Sequence, residues 1–473
     1  MKITVRKTTA ALLATGLFVF SSAAMATNGY FTHGVGPESK AMGGSGAGSR
    51  ENLGAIGAAT NPALSVFSDD KWQIGLSVFS PSRTYKTTGG LGGQSGTFTL
   101  SNGEYDSNND VFPIPFIGKN WTFSNGSALS VLFYGRGGMN TEWDSGQSVF
   151  TNPGGQLPGP AEFPGLYGGG KAGVDLMQAF LNINYAGKIG DNFAWGLGPV
   201  IAMQSFEATG LAFFSPYTQT YADGAAVGAP VAPENLTDNG HDTSVGYGLS
   251  AGIWFGNEKV SFGLAYQTQM DMEEFDKYSD LYAQAGGFDI PSTLKAGLSF
   301  KTSDSVTLNL DVEHIGYSDI DSVANPIGNL IGGCWTANPN PLDPNNSPPF
   351  APFGESSGCL GAESGAGFGW EDMTVYKLGV SMKSSDANTW RFGYSYGEQP
   401  IPSSEVLFNI LAPGVMEQHF TVGWTGVRPN GNIMSLSFMY APESTVSGAN
   451  TFDPFQTIEL KMSQLDLEFA YRF

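Results

Sequence analysis

The chain has little of what a soluble enzyme or a nucleic-acid-binding protein uses. Charged residues make up 14% of it, against roughly 25% of an average soluble domain. Lys and Arg number 22 against 43 Asp and Glu. That balance argues against binding a phosphate backbone, which relies on neutralising cations. The four histidines, His33, His241, His314 and His419, are scattered and make no metal-ligand spacing. The two cysteines, Cys334 and Cys359, share one polar, Pro- and Gly-rich stretch. Two thiols without a nearby histidine are too few for a metal site, and in an exported loop they most simply close one disulfide. No cofactor is implied. Beyond residue 26 no run approaches the ~20 apolar residues of a membrane helix. Residues 393–397 read Gly-Tyr-Ser-Tyr-Gly. They fall within an alternating run, not in the strand–turn–helix that makes such a serine a nucleophile, so no enzyme is expected.

Glycine (65 residues) and aromatics (13%) are plentiful. The start of the chain is distinctive: Lys2, Arg6 and Lys7, an apolar run from Ala10 to Phe20, then Ala24-Met25-Ala26. A charged start, a short apolar core and a small-x-small site describe a secretory signal cleaved after Ala26. Three of the 22 cations lie in that signal, so the mature chain keeps 19 against 43 acids. Residues 27–70 follow, small and flexible in composition, with no sustained alternation.

From residue 71 to the end, short alternating runs repeat. They cover 71–85, 111–123, 128–143, 174–188, 193–206, 243–255, 259–272, 290–302, 306–317, 374–383, 389–396, 416–426, 432–440 and 457–473, about fourteen strands. Short turns at Asn125, Asp191, Asn257, Asp304, Asp386 and Asn430 alternate with long loops at 86–110, 144–173, 207–242, 273–289, 318–373, 397–415 and 441–456. Short turns at one end and long loops at the other are the asymmetry of an outer-membrane barrel. The faces agree. Val306, Leu308, Leu310 and Val312 alternate with Thr307, Asn309, Asp311 and Glu313. Trp390, Phe392, Tyr394 and Tyr396 alternate with Arg391, Gly393 and Ser395. A soluble barrel buries its apolar face; here the polar set faces the lumen and the apolar set meets lipid. The last strand, with Leu465, Leu467, Phe469, Tyr471 and Phe473 outward, closes the barrel. The expected fold is all-β: an antiparallel transmembrane barrel of about fourteen strands over 71–473.

Four stretches resemble the outer-membrane long-chain fatty acid and hydrocarbon transporter family of FadL/TodX type. They are Asn61-Pro62-Ala63 before the first strand, LFYGRGGMNTEW in the third, FGWEDMTVYKLGVS at 368–381, and YSYGEQPIPSSEVLFNILAPGVMEQHFTVGW at 394–424. The resemblance implies that residues 27–70 fold inside the barrel as a hatch. It implies passive uptake of a hydrophobic small molecule that lands on external loops, enters an apolar pocket and leaves sideways at a third-strand kink. Gly135, Gly137 and Gly138 mark the kink, because glycine in a strand weakens pairing; a bend at the barrel rim is the alternative. Leu211, Phe213 and Phe214 suggest an exposed apolar capture surface, or else an aromatic belt. The terminal aromatic resembles the signature that the barrel assembly machinery reads.

The chain departs from the fatty-acid pattern where a carboxylate-binding cation is expected. The late fifth strand carries Gln204 and Glu207, and Trp370-Glu371-Asp372 lacks a lysine. Inward cations by parity are Arg136 (beside Tyr134), Lys295, Lys377 and Arg391. These would bind a head group, or pair with Asp311 and Glu313 across the lumen. A neutral aromatic or aliphatic hydrocarbon therefore competes with a long-chain fatty acid as substrate. A general porin, and a surface receptor or adhesin, are the readings of another class. The expected setting is the bacterial outer membrane, as a monomer among lipid and lipopolysaccharide.

Overall fold

The computed structural model describes residues 27–94, 96–150, 161–337, 350–352 and 357–473. The expected signal, 1–26, lies outside them. The chain forms a closed antiparallel barrel of 14 strands. We number these β1 (Trp72–Gly89), β2 (Phe112–Thr122), β3 (Ala128–Trp143), β4 (Ala172–Ile189), β5 (Phe193–Thr209), β6 (Asp242–Gly256) and β7 (Val260–Gln267). The rest are β8 (Thr293–Lys301), β9 (Val306–Ile315), β10 (Met373–Ser385), β11 (Asn388–Gly397), β12 (Gln418–Val427), β13 (Ile433–Asn450) and β14 (Asp453–Arg472). Each pairs with its sequence neighbours, and β14 returns to β1 from Gln73↔Arg472 to Gly89↔Gln456. Reciprocal bonds between Trp72 and Phe473, both 3.0 Å, finish the seam. Closure matters because hydrocarbon offers no partner to an open sheet edge.

The faces follow the two-residue period of a strand. On β14, Leu465, Leu467 and Phe469 are exposed while Asp466, Glu468 and Arg472 are buried. The short turns use residues suited to tight reversal: Gly126 (φ 81°) and Gly190 (φ 62°) take left-handed backbone that a side chain disfavours. One expected loop is corrected. Most of 441–456 is strand, continuing the β13–β14 hairpin to Asn450 and Asp453. It rises above the apolar band, so neither face needs to be greasy and the alternation fades. A bulge between Ala441 and Ser444 accommodates Pro442.

Residues 27–70 lie against the inner wall. They carry a short helix, α1 (Pro37–Lys40), and two 3₁₀ turns, Ala55–Ala59 and Pro62–Phe67. Inward glycines of the wall make room for this segment. A Cβ at Gly263 would come within 1.8 Å of the Ala47 carbonyl, and one at Gly393 within 2.1 Å of the Gly43 nitrogen. The Asn61 side chain receives the Ala63 N–H at 3.0 Å and donates to the carbonyls of Ala47 (2.9 Å) and Ile253 (3.0 Å). Asn-Pro-Ala thus caps the second 3₁₀ turn and ties it to β6.

The face assignment predicts a depth-dependent penalty. Leu467 is 53% exposed and six residues from the terminal Phe473, near mid-depth for a tilted strand. Leu467→Arg is expected to cost roughly 2–4 kcal/mol, read by denaturant unfolding from lipid vesicles. The same substitution at Thr445, exposed in the raised hairpin, is expected to cost close to nothing.

Candidate functional site

One seam of the wall is incomplete. β2 and β3 pair only from Phe116↔Tyr134 to Thr122↔Ala128. Above Tyr134 the ladder lapses, although β2 stays paired to β1 up to Phe79↔Phe112. Two features of the sequence produce this. Pro113 and Pro115 occupy alternate positions of β2 and remove two N–H donors from one edge of it, the pattern of an edge strand. On β3 the register with β4 slips between Gly135↔Ala179 and Gly137↔Gln178, which makes Arg136 the extra residue of a bulge.

The N-terminal segment occupies the lapse. Phe31 bridges to Gly137. The Thr32 N–H donates to the Arg136 carbonyl at 2.9 Å, and the Gly138 N–H donates to the Tyr30 carbonyl at 3.0 Å. A Cβ at Gly137 would collide with the Gln178 side chain and lie 3.2 Å from Phe31. Just below, a narrow cleft runs between Ile114, Phe116, Tyr134 and Gly135 to Gly34 and Gly36. Tyr134 is fixed there by a 3.2 Å bond from Asn182 and by stacking on Phe180.

The bulge residue anchors a buried charge cluster. Arg136 (3.5 Å), Lys295 (3.2 Å) and Lys377 (2.5 Å) all meet Glu313. Arg136 also donates to Gln267 at 2.8 Å and lies 4.5 Å over the Phe31 ring. Lys377 donates to the His33 carbonyl at 2.8 Å. The cluster therefore grips residues 31 and 33 from two sides. Arg391 stands apart, on Glu51 at 3.1 Å and Thr425 at 2.7 Å. Farther along the segment, Lys40 meets Asp466 (2.9 Å) and Glu468 (2.8 Å), and the amides of Gly46 and Ala47 donate to Asp311.

Above the segment the barrel mouth is apolar. Tyr30, Tyr317 and Trp370 pack with ring centroids 5.1–5.7 Å apart. The 398–417 loop folds down into the mouth, where its carbonyls at Ile410 and Leu411 accept from Trp143 (3.1 Å) and Thr141 (2.7 Å). The exposed capture surface expected from Leu211, Phe213 and Phe214 does not form. Leu211 and Phe214 are each 1% exposed and line an apolar cavity with Tyr282, Phe368, Phe408 and Leu411. Phe213 is half-buried and stacks on Phe98 at 3.7 Å. Neighbouring aromatic loops bury one another at the mouth, because water is the alternative contact. Cys334 and Cys359, with Cα atoms 4.5 Å apart, form a disulfide in this region. Late in β5, Gln204 accepts from Gln178 at 3.0 Å and donates to the Phe288 carbonyl at 2.8 Å, a neutral network. Glu371 and Asp372 are exposed. Among the described residues no His, Cys, Asp and Glu cluster is arranged to hold a metal.

The sequence matches the family described as outer membrane protein transport protein (OMPP1/FadL/TodX) over residues 13–430. The toluene transporter TodX of Pseudomonas putida superposes with TM-score 0.58 at 15% identity, covering 93% of this chain and 98% of that one. The toluene transporter TbuX of Ralstonia pickettii gives 0.56 at 15% identity, over 93% and 98%. A FadL homologue of Pseudomonas aeruginosa gives 0.57 at 14% identity, over 94% and 98%. At such identities the likeness is one of fold. No curated protein matches.

Two outcomes follow from the charges. Glu313→Gln leaves three buried cations without their carboxylate and is expected to destabilise the barrel by roughly 3–5 kcal/mol, read by denaturant unfolding. The second concerns His241, which precedes β6 and meets Asp175 (3.1 Å) and Glu207 (3.2 Å) while staying 43% exposed. The hydrogen bond to Asp175 is the main cause raising its pKa above the ordinary histidine value. A raised folded pKa gives stability that is full below the unfolded value, about 6.5, and is lost as pH rises through the folded one. Amide protection at 241–242 is expected to fall across that window, and His241→Gln is expected to flatten the profile.

Proposed function

The chain belongs to the outer membrane transport protein family (OMPP1/FadL/TodX), and from that premise we propose a passive outer-membrane uptake channel for hydrophobic small molecules. The observation that carries this reading is the incomplete β2–β3 seam, occupied by residues 30–32 beneath an apolar mouth. Residues 27–70 act as the hatch. Substrate reaches the mouth from the long-loop side, partitions among Leu211, Phe214, Tyr282 and Phe408, and passes to the cleft at Gly135. When Thr32 and Tyr30 release Arg136 and Gly138, the seam opens laterally. Such an exit delivers a hydrophobe to lipid without crossing water, so partitioning supplies the direction and no ATP is needed.

The neutral Gln178–Gln204 network favours a substrate without a strong head-group requirement at that place. Toluene is carried by the transporters TodX and TbuX, and a neutral aromatic or aliphatic hydrocarbon fits this chain's mouth on the same grounds. A long-chain fatty acid needs a cation elsewhere.

Gly135→Val tests the lateral exit. Its Cβ would stand 2.9 Å from Ile114, inside the cleft. Uptake of radiolabelled toluene by vesicles holding the variant is expected to fall at least roughly tenfold, the effect of about 1.4 kcal/mol on a barrier. Heat-modified gel mobility is expected to stay unchanged. Undiminished uptake through a folded variant would remove the lateral exit from the account.

A further inference from the structure

We propose that Arg83, on β1, receives the anionic head group of an amphipathic ligand, a carboxylate on an apolar body. The inference rests on the uptake reading and specifies its ligand. Seven lysines and arginines are buried among the described residues: Lys40, Arg83, Arg136, Lys295, Lys377, Arg391 and Arg472. Six of them have a carboxylate partner, Arg472 through Glu38 at 3.0 Å. Arg83 forms no ion pair among the described residues and is 4% exposed. Its Nη1 donates to the Asn140 carbonyl, while Nε and Nη2 meet no acceptor there. Those two nitrogens form one edge of the guanidinium, the fork that takes both oxygens of a carboxylate. The Phe112 ring, 5.4 Å away, supports the face of the cation but leaves that edge unsatisfied.

The surroundings select the rest of the ligand. Arg83 lines a small cavity with Phe79, Met139, Trp370, Pro413 and Met462. Asp110 acts on Arg83 only through its charge, without an ion pair, so this buried cation gains from a counter-charge in direct contact; apart from Asn140 the walls offer mainly apolar contact to whatever carries it. The cavity holds about 10 Å³, at most the room of one water, so a head group enters only as the lining moves. The body must displace the wall at 412–414, in the loop whose neighbours Phe408 and Leu411 line the apolar cavity of the mouth. Head group and tail would then occupy two adjoining spaces. This places the anion at the first strand, away from the neutral Gln204 position.

The test compares dodecanoate with dodecanol, matched in chain length, binding the full barrel in nanodiscs by calorimetry. Wild type, Arg83→Gln and Met139→Glu are measured. The second variant places a carboxylate in the same cavity and occupies Arg83 from within, so it probes the site even where Arg83→Gln folds poorly. Wild type is expected to prefer dodecanoate. Both variants are expected to lose roughly 10- to 100-fold of dodecanoate affinity, the range for hydrogen bonds to charged groups, with dodecanol binding unchanged. Equal binding of the two ligands by wild type, or a preference for dodecanoate that survives in the folded variants, would overturn the role of Arg83 while leaving uptake intact. Binding of neither ligand to folded wild type would overturn the uptake reading as well.

Discussion

The rest of this structure depends on one constraint: in hydrocarbon, every backbone N–H and C=O needs a partner from the protein. Closure of the sheet from Trp72 to Phe473 answers it around nearly the whole circumference. At β2–β3 the sheet breaks its own rule, through two prolines and a one-residue bulge. The donors and acceptors released there are not left bare. Residues 30–32 of the N-terminal segment take two of them up. The wall and the segment against it are therefore a single hydrogen-bonded object, and in the proposed uptake mechanism whatever moves residues 30–32 also opens the wall.

Electrostatics hold the segment at that place. Arg136 is at once the bulge residue, the cation over Phe31 and a partner of Glu313. Buried charges are favourable only in company, so Glu313 with its three cations locks β3, β8, β9 and β10 together beside the gap. Lys40 with Asp466 and Glu468, and Arg472 with Glu38, repeat the arrangement on the closing strand. Against this background the unpaired edge of Arg83 is a departure from a rule that the lumen otherwise keeps. A departure at a cavity points to a ligand rather than to stability.

Much of the architecture was legible in the sequence because the bilayer imposes a simple code. Apolar residues at every second position, as in Val306–Val312 and Leu465–Phe473, give strands and faces directly, and the alternation of short turns with long loops gives orientation. The raised β13–β14 hairpin escaped because 441–456 leaves the membrane, where the code no longer applies. The apolar loop residues Leu211 and Phe214 were read as exposed because their burial depends on other loops, 360–368 and 403–416, with no local signature. Arg83 was missed among the inward cations although the parity of β1 holds it: with Trp72, Ile74, Leu76 and Val78 outward, residue 83 faces in. Its lack of a partner depends on contacts far away in sequence. The path of residues 27–70 was illegible in detail, since Gly and Ala carry little pattern; the inward glycines at 263 and 393 acquire meaning only once the segment lies on them.

The most direct measurement is hydrogen exchange at the amides of Thr32 and Gly138, in lipid, with and without a hydrophobic ligand. The account predicts that ligand speeds exchange at both amides together, as the segment releases the seam, while Leu129–Phe133 in the paired part of β3 stays protected. If Thr32 and Gly138 remain protected while the same preparation transports ligand, the seam is not the exit and the central claim fails.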